Sequence, residues 1–436
     1  MTCFIETLKH KLTYFINEMS ASKDLFVNNP DRDFTRKRKL PFEDVMAATV
    51  SMGGSSIGKE LLETYGYNSD TVTTSAFIQQ RDKIKPFAFE YLFRRFTSFL
   101  ENQQLYKGFR LLAVDGSDIH TPTNPEDTQT HIKFKPTDKG YNCFHLNALY
   151  DLMGRVYTDA LVQTKRTANE RKAFTDMVAR SDIKGKVIVT ADRGYENYNT
   201  FAHVEKKGWN YIIRVKDIDS NGILSYLSLP ESDEFDLTFS LILTKKNNKE
   251  VRENPDIYRR IPSHAPFDFL DDTDHFYPIT FRVVRFMLPD GSYKAVVTNL
   301  TQAAFTTDQI KHIYSLRWGV ETSFRKLKYT IGLNNFHSKK QEHILQEIFA
   351  RIILYNFVET VVSRAVISKA KKRYDYQVNF ANAVHVCRRF LRICEDMLPC
   401  NAENLIRKNV LPIRTGRSFV RKPKFKSAVS FVYRVA

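Results

Sequence analysis

Three acids and their neighbours define the chemistry this chain can perform. Asp115 and Asp192 each follow a short apolar run and stand within two residues of a glycine, in Asp115-Gly116-Ser117 and Asp192-Arg193-Gly194-Tyr195. The third, Glu321, lies in residues 314–328, where Tyr314, Arg317, Glu321 and Lys328 are spaced i, i+3, i+7 and i+14. At about 100° per residue these four fall within roughly 60° of one another on an α-helix. Two aspartates at strand ends and a glutamate on a helix make the all-oxygen ligand set that hard divalent cations prefer. Mg2+ in particular keeps coordination positions open for phosphate. A pair of such ions roughly 3.5–4 Å apart activates an attacking oxygen and stabilises a leaving one in an in-line phosphoryl displacement. In that setting Arg317 and Lys328 reach phosphates, and Tyr314 offers a hydroxyl to phosphate or a ring to a base. Taken singly, each aspartate also reads as an ordinary turn former, and the polar stripe as a solvated helix face. The three acids together favour the chemical reading.

The elements that must position these residues follow from patterning. Ile313, Leu316, Val320, Phe324 and Leu327 form an apolar stripe beside the polar one, with Thr306, Thr307 and Asp308 as N-cap and Gly332 just past the end. The spacing predicts one helix with a face on a core. Residues 109–114, 144–150, 155–163, 186–190 and 209–215 read as strands, with a helix over 170–180, which is the order of a mixed α/β sheet. Such sheets present functional groups where strands leave the core. Strand-like runs at 235–244, 278–288 and 294–299 predict a mostly β block over 218–300, and 343–363 reads as a core helix. Residues 1–100 read as helical. Thr73, Thr74 and Ser75 can cap a helix carrying Gln79, Gln80, Arg81 and Lys83, which suits either a small DNA-binding bundle or a packing domain. The stretch from Gly53 to Lys59 imitates a phosphate-binding loop, but Glu60 stands where a hydroxyl should meet magnesium and no strand precedes it, so nucleotide binding is rejected.

Composition bounds the partners. The chain has 436 residues, 42% of them hydrophobic, with a net charge of +17 and a pI near 9.4. That is enough for two or three domains and favours a polyanion, nucleic acid before a membrane surface. No run is apolar enough to span a membrane, and no signal-peptide pattern opens the chain. Five scattered cysteines suit a reducing cytoplasm, and His385 with Cys387 and Cys394 lacks the paired spacing of a zinc site. Residues 404–436 hold nine Lys or Arg and no acid. Deleting them is predicted to lower DNA affinity and flatten its salt dependence, and an unchanged slope in filter binding would refute that.

The three motif regions resemble the bacterial DDE transposases of the IS4 group. The signature Y-x2-R-x3-E-x6-K is met by Tyr314, Arg317, Glu321 and Lys328, the family's D-G-[ST] motif by Asp115-Gly116-Ser117, and its D-x-G-Y type motif by Asp192-Arg193-Gly194-Tyr195. The likeness runs from about residue 35 to about 360. It implies an RNase H-like catalytic core over 101–217 and 301–363, interrupted by the β insertion over 218–300. A helical DNA-binding domain over 1–100 precedes it, and a helical, basic region over 364–436 follows. It implies two Mg2+ ions, replaceable by Mn2+, on Asp115, Asp192 and Glu321, with DNA contacts from Tyr314, Arg317, Lys328, Trp318 and Arg193. The implied reaction is hydrolysis at the ends of a mobile element, then attack of the freed 3′-hydroxyl on target DNA. Implied partners are the terminal inverted repeats, the target, and a second subunit or more in a synaptic complex at the bacterial nucleoid. Some relatives cut through a DNA hairpin and stack a base on a tryptophan in the strand before the motif helix. Here that strand has Tyr293 and no tryptophan. A nuclease of the same fold without strand transfer, or a DNA-binding protein that has lost catalysis, are the alternatives.

Overall fold

Helices in the first hundred residues and strands after Phe109 are what the patterning predicts. The computed structural model describes residues 4–100, 104–133, 135–271, 275–365, 375–392 and 401–413. Helices α1 (Phe4–Ala21), α2 (Phe42–Ser51), α3 (Ile57–Thr64), α4 (Thr74–Arg81) and α5 (Pro86–Phe99) come first. Ser56 and Thr73 cap α3 and α4 by accepting from the backbone N–H of Lys59 and Ala76, the usual role of a hydroxyl at a helix start.

The middle of the chain builds one ten-stranded sheet. Its members are β1 (Phe109–Thr121), β2 (His131–Ile132), β3 (Tyr141–Asp151), β4 (Val156–Thr164), β5 (Lys186–Ala191) and β6 (Asn210–Val215). Then come β7 (Phe235–Thr244), β8 (Tyr258–Arg260), β9 (Phe276–Met287) and β10 (Tyr293–Thr298). Helix α6 (Glu170–Arg180) joins β4 to β5, α7 (Tyr198–Lys206) joins β5 to β6, and short α8 (Lys249–Glu253) lies between β7 and β8. The order is β2-β3-β1-β5-β6-β10-β9-β7-β8, with β4 also on β3. β1 is antiparallel to β3 and parallel to β5, and β5 is parallel to β6. The strands of the expected insertion continue this same sheet, since β10 pairs antiparallel with β6 from Ala295↔Val215 to Thr298↔Ile212.

Strand β1 does not stop at Val114 as its apolar run predicts. Its parallel partner β5 ends pairing at Ala113↔Thr190, but the antiparallel partner β3 continues through Asp115↔Ala148, Gly116↔Asn147 and Asp118↔His145. The ladder on one edge therefore carries a polar stretch that the apolar pattern alone would end.

Side-chain alternation along the strands separates two faces. Leu112, Val114, Val187 and Val189 pack with α6 and α7 residues such as Phe174 and Phe201. Leu111, Ile188, Ile212 and Val296 pack instead with Ile310, Ile313 and Tyr314. These last residues belong to α9 (Thr307–Leu316), whose capping box joins Thr306 and Gln309. The predicted single helix over 314–328 is interrupted. α9 ends before Arg317, α10 (Trp318–Arg325) follows, and Lys326–Ile331 widens into a π turn closed by Gly332 at φ +95°. Glycine is suited to that left-handed cap.

Helix α11 (Gln341–Arg364) is buried along most of its length. One core cluster joins it to α1–α5, to α10, and to α12 (Phe380–Arg392) and α13 (Ala402–Lys408). β11 (Tyr376–Val378) pairs with β12 (Val410–Pro412). The start of the basic tail is thus docked, with Ile406 buried. Its cations from Arg414 onward lie outside the described residues, as do Cys3, Cys394 and Cys400. No helix among the described residues is long and apolar enough to cross a membrane.

Candidate active site

Two features of the backbone bring the acids together. Residues 113 and 190 are paired across the parallel strands β1 and β5, so Asp115 and Asp192, two residues further along each, come side by side where that ladder ends, Asp115 still within β1 and Asp192 just past β5. Alternation puts both on the face that α9 covers. Asp192 caps the turn Arg193–Tyr195 by accepting from Gly194 N at 2.8 Å, and Asp115 Oδ1 accepts from Gly116 N at 2.9 Å. The turn-forming role of Asp192 and its position beside Asp115 are therefore both realised. From the helical side, Arg317 Nη2 donates to Glu321 Oε1 at 2.7 Å and its Nη1 lies 4.0 Å from Asp115 Oδ2.

Burial is the first cause that pushes the Asp115 carboxyl up to about 6, and the charges of Asp192 and Glu321 add to it, while the Gly116 amide and Arg317 pull it down. A buried carboxylate that resists ionisation beside two other acids would be eased by added positive charge. The donor chemistry fits divalent cations: three hard carboxylates, one of them raised by burial and by the charges of the other two. As they stand, no group of three or more His, Cys, Asp or Glu among the described residues is drawn close enough to hold a metal ion. The guanidinium of Arg317 lies between Glu321 and Asp115.

The other predicted site residues are distributed around this centre. Tyr314 is buried at 4% exposure, with Arg317 and Lys294 5.8 and 5.9 Å from its ring. Trp318 is half exposed and sits against Arg317. Arg193 is exposed. Lys328, in the π turn, donates to the Asp118 carbonyl at 2.6 Å, and burial pushes its ammonium down from its ordinary value. Tyr293 packs on the guanidinium of Arg285 at 4.3 Å.

A second layer was not visible in the sequence. His145 of β3 stands opposite Asp118 of β1 and places Nδ1 2.6 Å from Asp118 Oδ1 and Nε2 2.9 Å from Glu170 Oε1. Lys165 also reaches Asp118 at 2.8 Å. Burial alone would lower the imidazole, but the two carboxylates together hold it above its ordinary value. A Cβ on Gly116 would come within 2.4 Å of the His145 ring and 2.7 Å of Glu170. This gives the glycine of Asp115-Gly116 a steric reason. Only the cross-strand pairing, which no spacing rule reveals, brings these residues together.

Other expectations meet the structure elsewhere. Arg81 is interior, bonded to Gln346, Glu347 and the His343 carbonyl at 2.7, 2.9 and 2.6 Å, so it faces α11. Glu60, which ruled out the nucleotide loop, is buried and bonded to Arg388 at 2.7 Å. Cys387 is buried and His385 is exposed.

Residues 106–357 match the family model described as transposase DDE domain. The transposase InsG for insertion sequence element IS4 of Escherichia coli (strain K12) is 22% identical over 417 residues, covering 89% of this chain and 86% of that protein. A solved structure, the cryo-EM piggyBac transposase synaptic complex with hairpin DNA, aligns over 95% of this chain and 84% of its own at 10% identity. Its TM-score is 0.41, too remote to bear on the site. A domain model that spans more than half the chain and contains all three acids makes this protein a member of the DDE transposase family, as its motifs implied.

Proposed function

We propose that this transposase moves an insertion sequence by cut-and-paste. It would hydrolyse phosphodiesters at the element's terminal inverted repeats and then join the freed 3′-hydroxyl to target DNA. The observation that carries the reading is the convergence of Asp115, Asp192 and Glu321 on one face of the sheet, close enough for the last two to raise the first. The strand order β4-β3-β1-β5-β6, three antiparallel strands followed by two parallel ones, supports an RNase H-like core over 101–217 and 301–363. Residues 1–100 and 364–436 would flank it as DNA-contacting regions, acting as a dimer or higher in a synaptic complex in the bacterial cytoplasm.

Asp115, Asp192 and Glu321 would hold two Mg2+ ions, whose contribution is to activate the attacking oxygen and to stabilise the leaving one. The chain's own residues do the rest. Arg317 is 6% exposed and its Nε has no hydrogen-bond partner among the described residues. That leaves a fixed donor for a phosphate oxygen beside the acids. Tyr314 supports the guanidinium from below, and Lys328 steadies the backbone of the Asp115 strand through Asp118.

The test is strand cleavage and strand transfer on the element's own ends with Mg2+. Cleavage without joined products would favour the nuclease reading, and full activity after Asp115→Ala, Asp192→Ala and Glu321→Ala would refute catalysis at this site. Arg317→Ala is predicted to slow cleavage roughly 10²–10³-fold, the usual loss for one preorganised donor. A single-turnover rate within twofold of wild type would show that the guanidinium only balances charge.

A further inference from the structure

A second site adjoins Asp192 on the side away from Glu321's helix. A cleft of about 270 Å3 opens between the Asp192 turn, the start of α7 and the segment after β8. Arg171, Arg193, Lys216, Arg259 and Arg260 line it, and none of the five forms an ion pair among the described residues. The arginines that serve the fold behave differently. Arg180, Arg282 and Arg285 are held by Asp159, Asp236 and Asp217 at 2.8, 2.6 and 2.8 Å.

The cleft is built as well as charged. Arg171 Nε donates to the Gly194 carbonyl at 2.8 Å, which ties one cation to the Asp192 turn. Asp268 binds Asn199 and His203 at 2.9 and 2.7 Å, so the wall after β8 is fastened to α7. The one lining acid, Glu196, is buried, and its oxygens accept from the amides of Lys216 and Ile223 at 2.8 and 2.6 Å. The Arg259 guanidinium lies 3.3 Å from the centre of the Tyr226 ring, and Tyr226 is exposed. Tyr198 is 8% exposed, and its hydroxyl has no hydrogen-bond partner among the described residues.

Five cations with no carboxylate partner among the described residues, Lys216 held only by the Asn221 carbonyl at 2.8 Å, together with the Tyr198 hydroxyl and an exposed ring beside a phosphoryl-transfer centre, match one kind of ligand: a phosphodiester backbone with a sugar or base to pack. We infer that this cleft holds the DNA strand that runs on beyond the reacting phosphate, with Arg193, Lys216, Arg259 and Arg260 on its phosphates and Tyr226 against a nucleotide. The inference rests on the transposase reading and deepens it. The strand comes either from the element's flank or from target DNA, which share this chemistry.

Binding measured in EDTA, in an Asp115→Asn background, separates the cleft from the reaction. Fluorescence anisotropy over a range of salt would use three duplexes: the element end cut at its terminus, the same end with flanking DNA, and an unrelated sequence. The triple variant Lys216→Gln, Arg259→Gln, Arg260→Gln is expected to bind roughly tenfold or more weakly at about 50 mM salt, with a salt slope shallower by about 2–3. Lys249→Gln, a surface charge on α8, serves as the control. A loss confined to flanked ends assigns the flank, and a loss on the unrelated duplex assigns the target. Arg259→Lys with Arg260→Lys should keep the slope. An unchanged slope for the glutamine variant on all three probes, or an equal fall for the lysine variant, overturns the inference. The transposase reading itself stands or falls on Mg2+-dependent cleavage by the wild type, which these binding arms do not involve.

Discussion

Asp115→Asn is expected to abolish metal-dependent DNA cleavage and, in the same protein kept free of metal, to make the fold more stable at pH 8. The first effect follows from removing a charged ligand from the acid set, and a loss of several kcal/mol of transition-state stabilisation is roughly 10³-fold or more in rate. The second follows from burial. The Asp115 carboxyl is raised to about 6 from 3.8, so the folded protein holds this proton more tightly than the unfolded chain does. That preference stabilises the fold fully below about pH 4 and is lost as the pH rises through about 6. The difference of about two units corresponds to about 3 kcal/mol, at roughly 1.36 kcal/mol per unit.

Asparagine keeps the shape and the acceptor for the Gly116 amide but cannot ionise. Denaturation in EDTA should therefore show wild type and variant converging near pH 4 and the variant ahead at pH 8. Parallel stability curves across that range would show that Asp115 ionises freely and that the crowding of the three acids has no energetic weight. With Mg2+ added at pH 8 the order should reverse, because only the wild type can couple the ion to folding.

What is legible in the sequence is what has a local cause. Asp115 and Asp192 are legible because an apolar run followed by an acid and a glycine is a local pattern, and Glu321 because helical spacing aligns it with Arg317. Their mutual distance was not local. It depends on β1 and β5 being adjacent and parallel in one register, which strand propensities do not encode. The same limit hid His145 and Glu170, which face Asp118 and Gly116 across β3 and from the start of α6. It also leaves the role of α4 open. Arg81 suits either a DNA-binding bundle or a packing domain, and a buried carboxylate on α11, Glu347, turns it inward. The break at Arg317 and the π turn at Lys326–Ile331 have no composition signal either. There the helix adjusts so that Val320, Phe324 and Leu327 reach the core while Lys328 reaches Asp118.

Glu60 gives the second large effect. It is fully buried beneath Arg388 and Arg392 of α12, with Arg388 at 2.7 Å and the Ser55 amide at 3.0 Å, and Arg392 also bonds it. Burial would raise this carboxyl, but the two arginines and the backbone amides bring it down to about 2 from 4.5. Because the folded value is depressed, the stabilisation is present above about pH 4.5 and is lost as the pH falls toward 2. Glu60→Ala leaves Arg388 without its carboxylate and Arg392 with Glu63 alone in a buried site, and breaking a buried pair typically costs about 3–5 kcal/mol. The chemical denaturation midpoint at pH 7 should drop accordingly, and α12 should become the first segment cut in limited proteolysis, since this pair fastens it to α2 and α3. Replacing all three residues with apolar ones of similar size should recover most of the loss, as burying no charge is close to neutral. A single-variant loss below about 1 kcal/mol, the range of exposed ion pairs, would mean that water reaches the pair and that Glu63, the Ser51 carbonyl and packing suffice to hold α12 to the first hundred residues.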